Sequence, residues 1–158
     1  MMPSGATLTL GSIAEIPLYD GDVEARRGIP QPVQALKDQI AACDGLLLVT
    51  PEYNHSLPGV FKNAMDWLSR PPEDSPRVFR GRAVGLIGCT PGGMGTVYSQ
   101  SAWLPVFRAL GMRPWFGKAL HVSGGHKVFD ETGRLLDEAV AEKLKDYLEG
   151  FAAFVDSG

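Results

Sequence analysis

Apolar residues fall in short blocks along the chain, and the period within the blocks changes from one to the next. Residues 6–13 alternate, with Ala6, Leu8 and Leu10 set against Thr7, Thr9 and Gly11, and this alternation predicts a strand. Residues 17–30 are polar and punctuated by Gly and Pro, which predicts a loop. Val33, Leu36 and Ile40 then follow Pro32 at i, i+3 and i+7 spacing, so residues 32–43 predict an amphipathic helix. Leu46, Leu47, Leu48 and Val49 form an apolar run with neither period, the signature of a parallel strand covered on both faces. A helix over residues 60–69 is stopped by Pro71 and Pro72, and residues 73–80 read as a polar surface loop.

The alternation continues to the end of the chain. Residues 82–88 predict a second buried strand and residues 96–110 a helix that Pro105 should kink or whose hydrogen-bond ladder it should interrupt; residues 114–122 contain a last strand. Residues 136–155 predict a terminal helix with Leu144, Leu148, Phe151 and Val155 on its apolar side. Strand and helix in turn define an α/β class with a parallel sheet and helices on both faces. No internal repeat or low-complexity segment interrupts the pattern.

With 158 residues the chain suits one domain, residues 1–158, with a sizeable core. A net charge of −3 and the lack of a basic run give no footprint for nucleic acid or an anionic membrane. No stretch approaches the roughly 20 apolar residues of a membrane span, and the first ten residues lack a signal peptide's pattern, so a cytoplasmic location is expected. Cys43 and Cys89 form no Cys-x-x-Cys pair, which argues against a disulfide framework or a cysteine metal site. His121 and His126 lack a third ligand at metal spacing, and no metal is expected. The sequon at Asn54-His55-Ser56 is read as accidental without an export signal.

Two segments carry the chemistry. Pro51-Glu52-Tyr53-Asn54, then Pro58-Gly59, follow the first buried strand, and Gly88-Cys89-Thr90-Pro91-Gly92-Gly93-Met94-Gly95-Thr96 follows the second. In open α/β sheets the loops at the carboxyl ends of strands form the ligand crevice. The first offers a ring for stacking, an amide and backbone N–H groups; glycines in the second allow close approach and positive φ. Cys89 is a poor nucleophile candidate. A thiol phosphatase would need an arginine where Gly95 stands, and Pro91 lacks an N–H close after the sulfur where an oxyanion hole needs donors.

These motifs, with Lys62-Asn63-Ala64-Met65-Asp66-Trp67 after the first turn, Ile16-Pro17-Leu18-Tyr19 before it and Phe129-Asp130-Glu131-Thr132-Gly133-Arg134-Leu135 near the end, resemble the NADPH-dependent FMN reductase family. That group includes quinone, azo-dye and chromate reductases. The resemblance implies a flavodoxin-like three-layer αβα sandwich that uses FMN to pass electrons from NADPH or NADH to a quinone, azo compound, metal oxyanion or free flavin. By the same resemblance Pro51, Glu52, Tyr53, Asn54, Thr90, Pro91, Gly92 and Gly93 border the flavin ring. No catalytic side chain is assigned, because the cofactor carries the chemistry.

Family members also begin with a strand, a phosphate-binding loop and a helix that residues 1–158 do not match. The first β-loop-α unit is therefore expected to be absent. Its strand would lie between the predicted strand at residues 6–13 and that at 46–49, leaving two unpaired edges. The expectation is that the segment at 6–13 shifts across or another chain fills the gap, as a homodimer or tetramer, and that FMN affinity falls with the lost phosphate loop. The alternative function is a cofactor-free flavodoxin-like binding or assembly protein. Trp67 is read as a core or subunit-interface residue, Lys62, Asn63 and Asp66 as helix and interface holders, and His55 as either a pocket or a surface residue.

Overall fold

The computed structural model describes residues 2–158. Strand β1 (Gly45–Val49) runs parallel to β2 (Ala83–Cys89), with Gly45 opposite Ala83 and Val49 opposite Ile87. On the other side of β2 lie two short parallel pieces, β3 (Arg113–Pro114) and β4 (Leu120–Val122). They are one strand broken at residues 115–119, so the strand predicted within 114–122 is present but split.

Successive residues of β2 face opposite layers, as the period of 2 requires. Val84 and Leu86 join a core built by α2 (Gln31–Ala41), α3 (Gly59–Leu68), α4 (Ser75–Phe79) and α5 (Val97–Leu110). Ala83, Ile87 and Cys89 pack on the other face, against Tyr147 and Phe151 of α7 (Glu138–Asp156). The architecture is the three-layer αβα sandwich that the alternation implied.

The break in the last strand leaves a backbone group to satisfy. Leu86 N–H donates to the Tyr147 hydroxyl at 2.8 Å, so α7 supplies the bond that the broken strand does not. Burial pushes the Tyr147 phenol up to about 12.

Several expectations need correction. Residues 6–13 form no strand and pair with none, and Leu8 and Leu10 are exposed. Ile13 and Ile16 pack on the α2 to α5 core, and Leu10 C=O accepts from Gln39 Nε2. The segment has therefore not shifted across to β1, which has no second strand neighbour among the described residues. The loop predicted at 17–30 contains α1 (Gly21–Arg27), capped by the Asp20 carboxylate accepting from Asp22 and Val23 N–H. Residues 73–80 include α4, whose Val78 and Phe79 are fully buried, so they are not a surface loop. Helix α5 continues through Pro105 without interruption, and Pro105 lies on its exposed side.

Trp67 is buried in the core and presents no surface for a subunit contact. Its Nε1 donates to Pro17 C=O at 2.9 Å, beside Asn63 Nδ2, which donates to the same oxygen at 2.9 Å. Asn63 Oδ1 accepts from Tyr19 N–H at 2.8 Å, and the Tyr19 and Trp67 rings meet edge to face. Asn63 and Trp67, one helical turn apart, thus clamp the segment Ile16-Pro17-Leu18-Tyr19 to α3. Lys62 and Asp66 form an i,i+4 ion pair at 2.6 Å. The Asp130-Glu131-Thr132-Gly133-Arg134 segment is a turn in which Asp130 Oδ1 accepts from Thr132 N–H, Thr132 Oγ1 and Arg134 N–H.

Candidate active site

The turn after β1 closes on itself. Tyr53 N–H donates to Ser56 C=O at 3.1 Å and Ser56 N–H returns to Tyr53 C=O at 3.0 Å. Between them Asn54 (φ 50°) and His55 (φ 57°) both occupy the left-handed region. Two such residues inside a reciprocally bonded pair make a tight turn of the I′ kind, which costs most side chains conformational energy and Asn least. The strain is spent on presentation: Tyr53 stands 57% exposed at the carboxyl end of the sheet. His55 lies against the Tyr98 ring, centroids 4.8 Å apart.

The loop after β2 is organised from outside. Thr90 N–H donates to Val122 C=O at 3.0 Å, Gly125 N–H to Thr90 C=O at 3.0 Å and Gly124 N–H to Gly92 C=O at 3.3 Å, so β4 and the start of α6 (Gly125–Val128) hold it. Gly95 is the one glycine of this loop with positive φ (61°), and a Cβ there would lie 2.8 Å from His121 Cβ. The conformational freedom expected of Gly92 and Gly93 belongs instead to Gly95. A Cβ on Gly93 would meet nothing within 4 Å, so that side of the loop is open.

The two loops meet at their base. A Cβ on Gly88 would lie 2.2 Å from Thr50 C=O, so only glycine lets β1 and β2 leave the sheet this close together. Thr50 Oγ1 and Ser99 Oγ are 2.9 Å apart, and Trp103 Nε1 donates to Thr50 Oγ1 at 3.2 Å, all buried. The Glu52 carboxylate reaches α5, where Oε2 accepts from Tyr98 N–H at 2.9 Å and Ser99 N–H at 3.1 Å. The sequence carried no local signal for this contact, which spans 46 residues. The one hint was that the first turn of α5 has no acidic residue of its own.

Cys89 ends β2, half-buried, and burial raises its thiol above the usual range, which disfavours the thiolate a nucleophile needs. Burial lowers His121, against a smaller opposing influence from Glu52. His126 lies on α6.

The site's donors fit the ring end of a flavin. Among the described residues the backbone N–H groups of Glu52, Asn54, Gly93 and Met94 have no protein acceptor, and they line the two strand ends beside the exposed Tyr53 ring. Unpaired N–H groups on adjacent loops suit the carbonyl and ring-nitrogen acceptors of an isoalloxazine. The start of α5 does not suit the phosphate, because the Glu52 carboxylate already occupies it.

A parallel sheet with helices on both faces and an open pair of loops at the carboxyl ends of β1 and β2 is a flavodoxin-like architecture. The sequence pattern of NADPH-dependent FMN reductases matches residues 2–127, and the chain belongs to that family. It is 37% identical to the NAD(P)H-dependent FMN reductase PA1204 of Pseudomonas aeruginosa, over 98% of this chain and 82% of that protein. It is 39% identical to a quinone reductase of Escherichia coli, over 92% and 77% respectively. Among solved structures, the flavoenzyme NAD(P)H:(acceptor) oxidoreductase FerB of Paracoccus denitrificans superposes with a TM-score of 0.82 at 29% identity, over 94% of this chain and 80% of that one.

Proposed function

We propose that this chain is an FMN-dependent NAD(P)H oxidoreductase that reduces a small-molecule acceptor of the quinone class. The observation that carries the reading is the pair of loops at adjacent strand ends, with unpaired backbone donors on both and the Tyr53 ring exposed beside them. Membership of the family and the reductase names of its relatives support the cofactor and the nicotinamide co-substrate. They also favour it over a cofactor-free assembly protein.

When bound, FMN supplies the electron relay between the nicotinamide and the acceptor, and no protein acid or base is required for it. The chain binds and orients. Pro51, Glu52, Tyr53 and Asn54 would border one edge of the ring and Thr90, Pro91, Gly92 and Gly93 the other. The N–H groups of Glu52, Asn54 and Gly93 would donate to ring acceptors, where fixed donors would also favour extra negative charge. Tyr53, whose backbone is fixed by its reciprocal bonds with Ser56, would stack on the ring and exclude water with little further loss of backbone freedom.

Titration of FMN into the purified chain, followed by quenching of flavin fluorescence, tests the reading together with NADPH oxidation in the presence of a 1,4-benzoquinone. Saturable quenching and quinone-dependent turnover are expected. A chain that neither quenches flavin nor oxidises NADPH would return the cofactor-free alternative.

The fuller reading is a single domain, located in the cytoplasm and assembled as a homodimer or tetramer. No helix among the described residues is long and apolar enough to cross a membrane. Support for assembly comes from Val60 of α3 and from Val97, Tyr98 and Leu104 of α5, all exposed. Light scattering that found only monomer at micromolar concentration would remove it.

A further inference from the structure

The first turn of α5 needs a cap, and its own N-cap residue does not provide one. Thr96 makes no side-chain bond to the helix N–H groups; its Oγ1 accepts instead from Gln100 Nε2 at 2.9 Å. Free N–H groups at a helix start are unsatisfied donors at the positive end of the helix dipole. Glu52 fills that role from the other ligand loop, with one carboxylate oxygen shared between Tyr98 and Ser99 N–H. Tyr98 is held a second time, because the His55 imidazole lies on its ring. The turn after β1 therefore grips a single residue of α5 at two points, backbone at its base and ring at its tip.

We propose that Glu52 is a positioning residue that couples the two ligand loops: its carboxylate, by capping α5 at Tyr98 and Ser99, fixes the spacing between the 51–56 turn and the 90–96 loop. The effect on flavin rests on the FMN reading above, whereas the coupling itself is a property of the chain alone. Charge-assisted bonds to backbone N–H groups are the stronger class, and they hold the turn's backbone donors at one distance from those of Gly93 and Met94. Glu52 makes this contribution through α5; its side chain touches no ligand.

The experiment has two readouts on Glu52→Ala and Glu52→Gln. Hydrogen exchange of the FMN-free chain comes first. In Glu52→Ala, amides of both residues 53–56 and residues 97–100 should exchange about tenfold faster, the change expected for loss of a cap of roughly 1.4 kcal/mol. Acceleration confined to residues 97–100 would overturn the coupling, since a cap with a purely local role leaves the turn alone. In Glu52→Gln, which keeps an acceptor oxygen at the same reach, part of the protection should return in both segments together. FMN affinity comes second: Glu52→Ala should bind about tenfold more weakly, with Glu52→Gln intermediate. Unchanged affinity in Glu52→Ala would overturn the link to the ligand. If the unaltered chain does not bind FMN, the reading of function fails, and hydrogen exchange still decides the coupling.

Discussion

The turn after β1 and the loop after β2 stand side by side and are built in opposite ways. The first is stiffened from within: Tyr53 and Ser56 exchange backbone bonds around two left-handed residues. The second has few bonds of its own and leans on Val122, Gly124, Gly125 and His121. Local strain fixes one wall of the crevice, and long-range packing fixes the other. Substitutions in the turn should therefore act locally except at Glu52 and His55, which reach α5, while those behind the second loop should act through the last strand.

The base shared by both walls should give the largest response. Gly88→Ala drives a methyl into Thr50 C=O and the Thr96 side chain, and we expect it to cost at least about 3 kcal/mol in urea unfolding, with both walls displaced. A stability close to that of the unaltered chain would mean that the strand ends separate easily and the walls are independent. Next comes Thr50→Val, which keeps the shape but strands Ser99 Oγ and Trp103 Nε1 in the core. About 2 kcal/mol should be lost, read from the same transition.

His55→Val tests the turn together with its hold on Tyr98. A β-branched side chain at φ 57° should destabilise by about 1 kcal/mol, and the loss should appear as faster amide exchange at residues 53–56 and, through the lost ring contact, at the start of α5. The smallest effect concerns the second wall. His121 is held below its ordinary value by burial, so its neutral form favours the fold; that contribution is intact above about pH 6.5 and is lost as pH falls through the lowered value. Urea midpoints measured from pH 7.5 to pH 5 should fall less steeply for His121→Gln than for the unaltered chain. Equal slopes would mean that the His121 imidazole contributes nothing to the pH dependence of the fold.

The sheet was legible because unbroken apolar runs such as Leu46, Leu47, Leu48 and Val49 have few other destinations than a covered strand. Residues 6–13 show the limit of that logic. Their alternation suits a strand, but a strand exists only with a partner, and none of the described residues provides one. Helix α1 was hidden for the reverse reason: it buries no residue, so no apolar period marks it, and the Asp20 cap with its basic last turn sustains it. Helix α4 was masked because Val78 and Phe79 are its only buried residues and Pro76, Arg77 and Arg80 surround them. The sequence placed both loops at the carboxyl ends of β1 and β2, where the structure has them. It could not show that Gly95 rather than Gly92 or Gly93 takes positive φ, nor that Glu52 spends its carboxylate on a helix 46 residues away.

The double hold on Tyr98 has a consequence for anyone who transplants parts between such reductases. A loop graft that moved residues 51–58 into a related scaffold would carry a carboxylate and an imidazole cut to fit one particular helix start, and without residues 96–99 both would arrive with nothing to grasp. The smallest portable piece of the crevice is thus discontinuous in the chain, a turn and the first four residues of a distant helix inherited as one module.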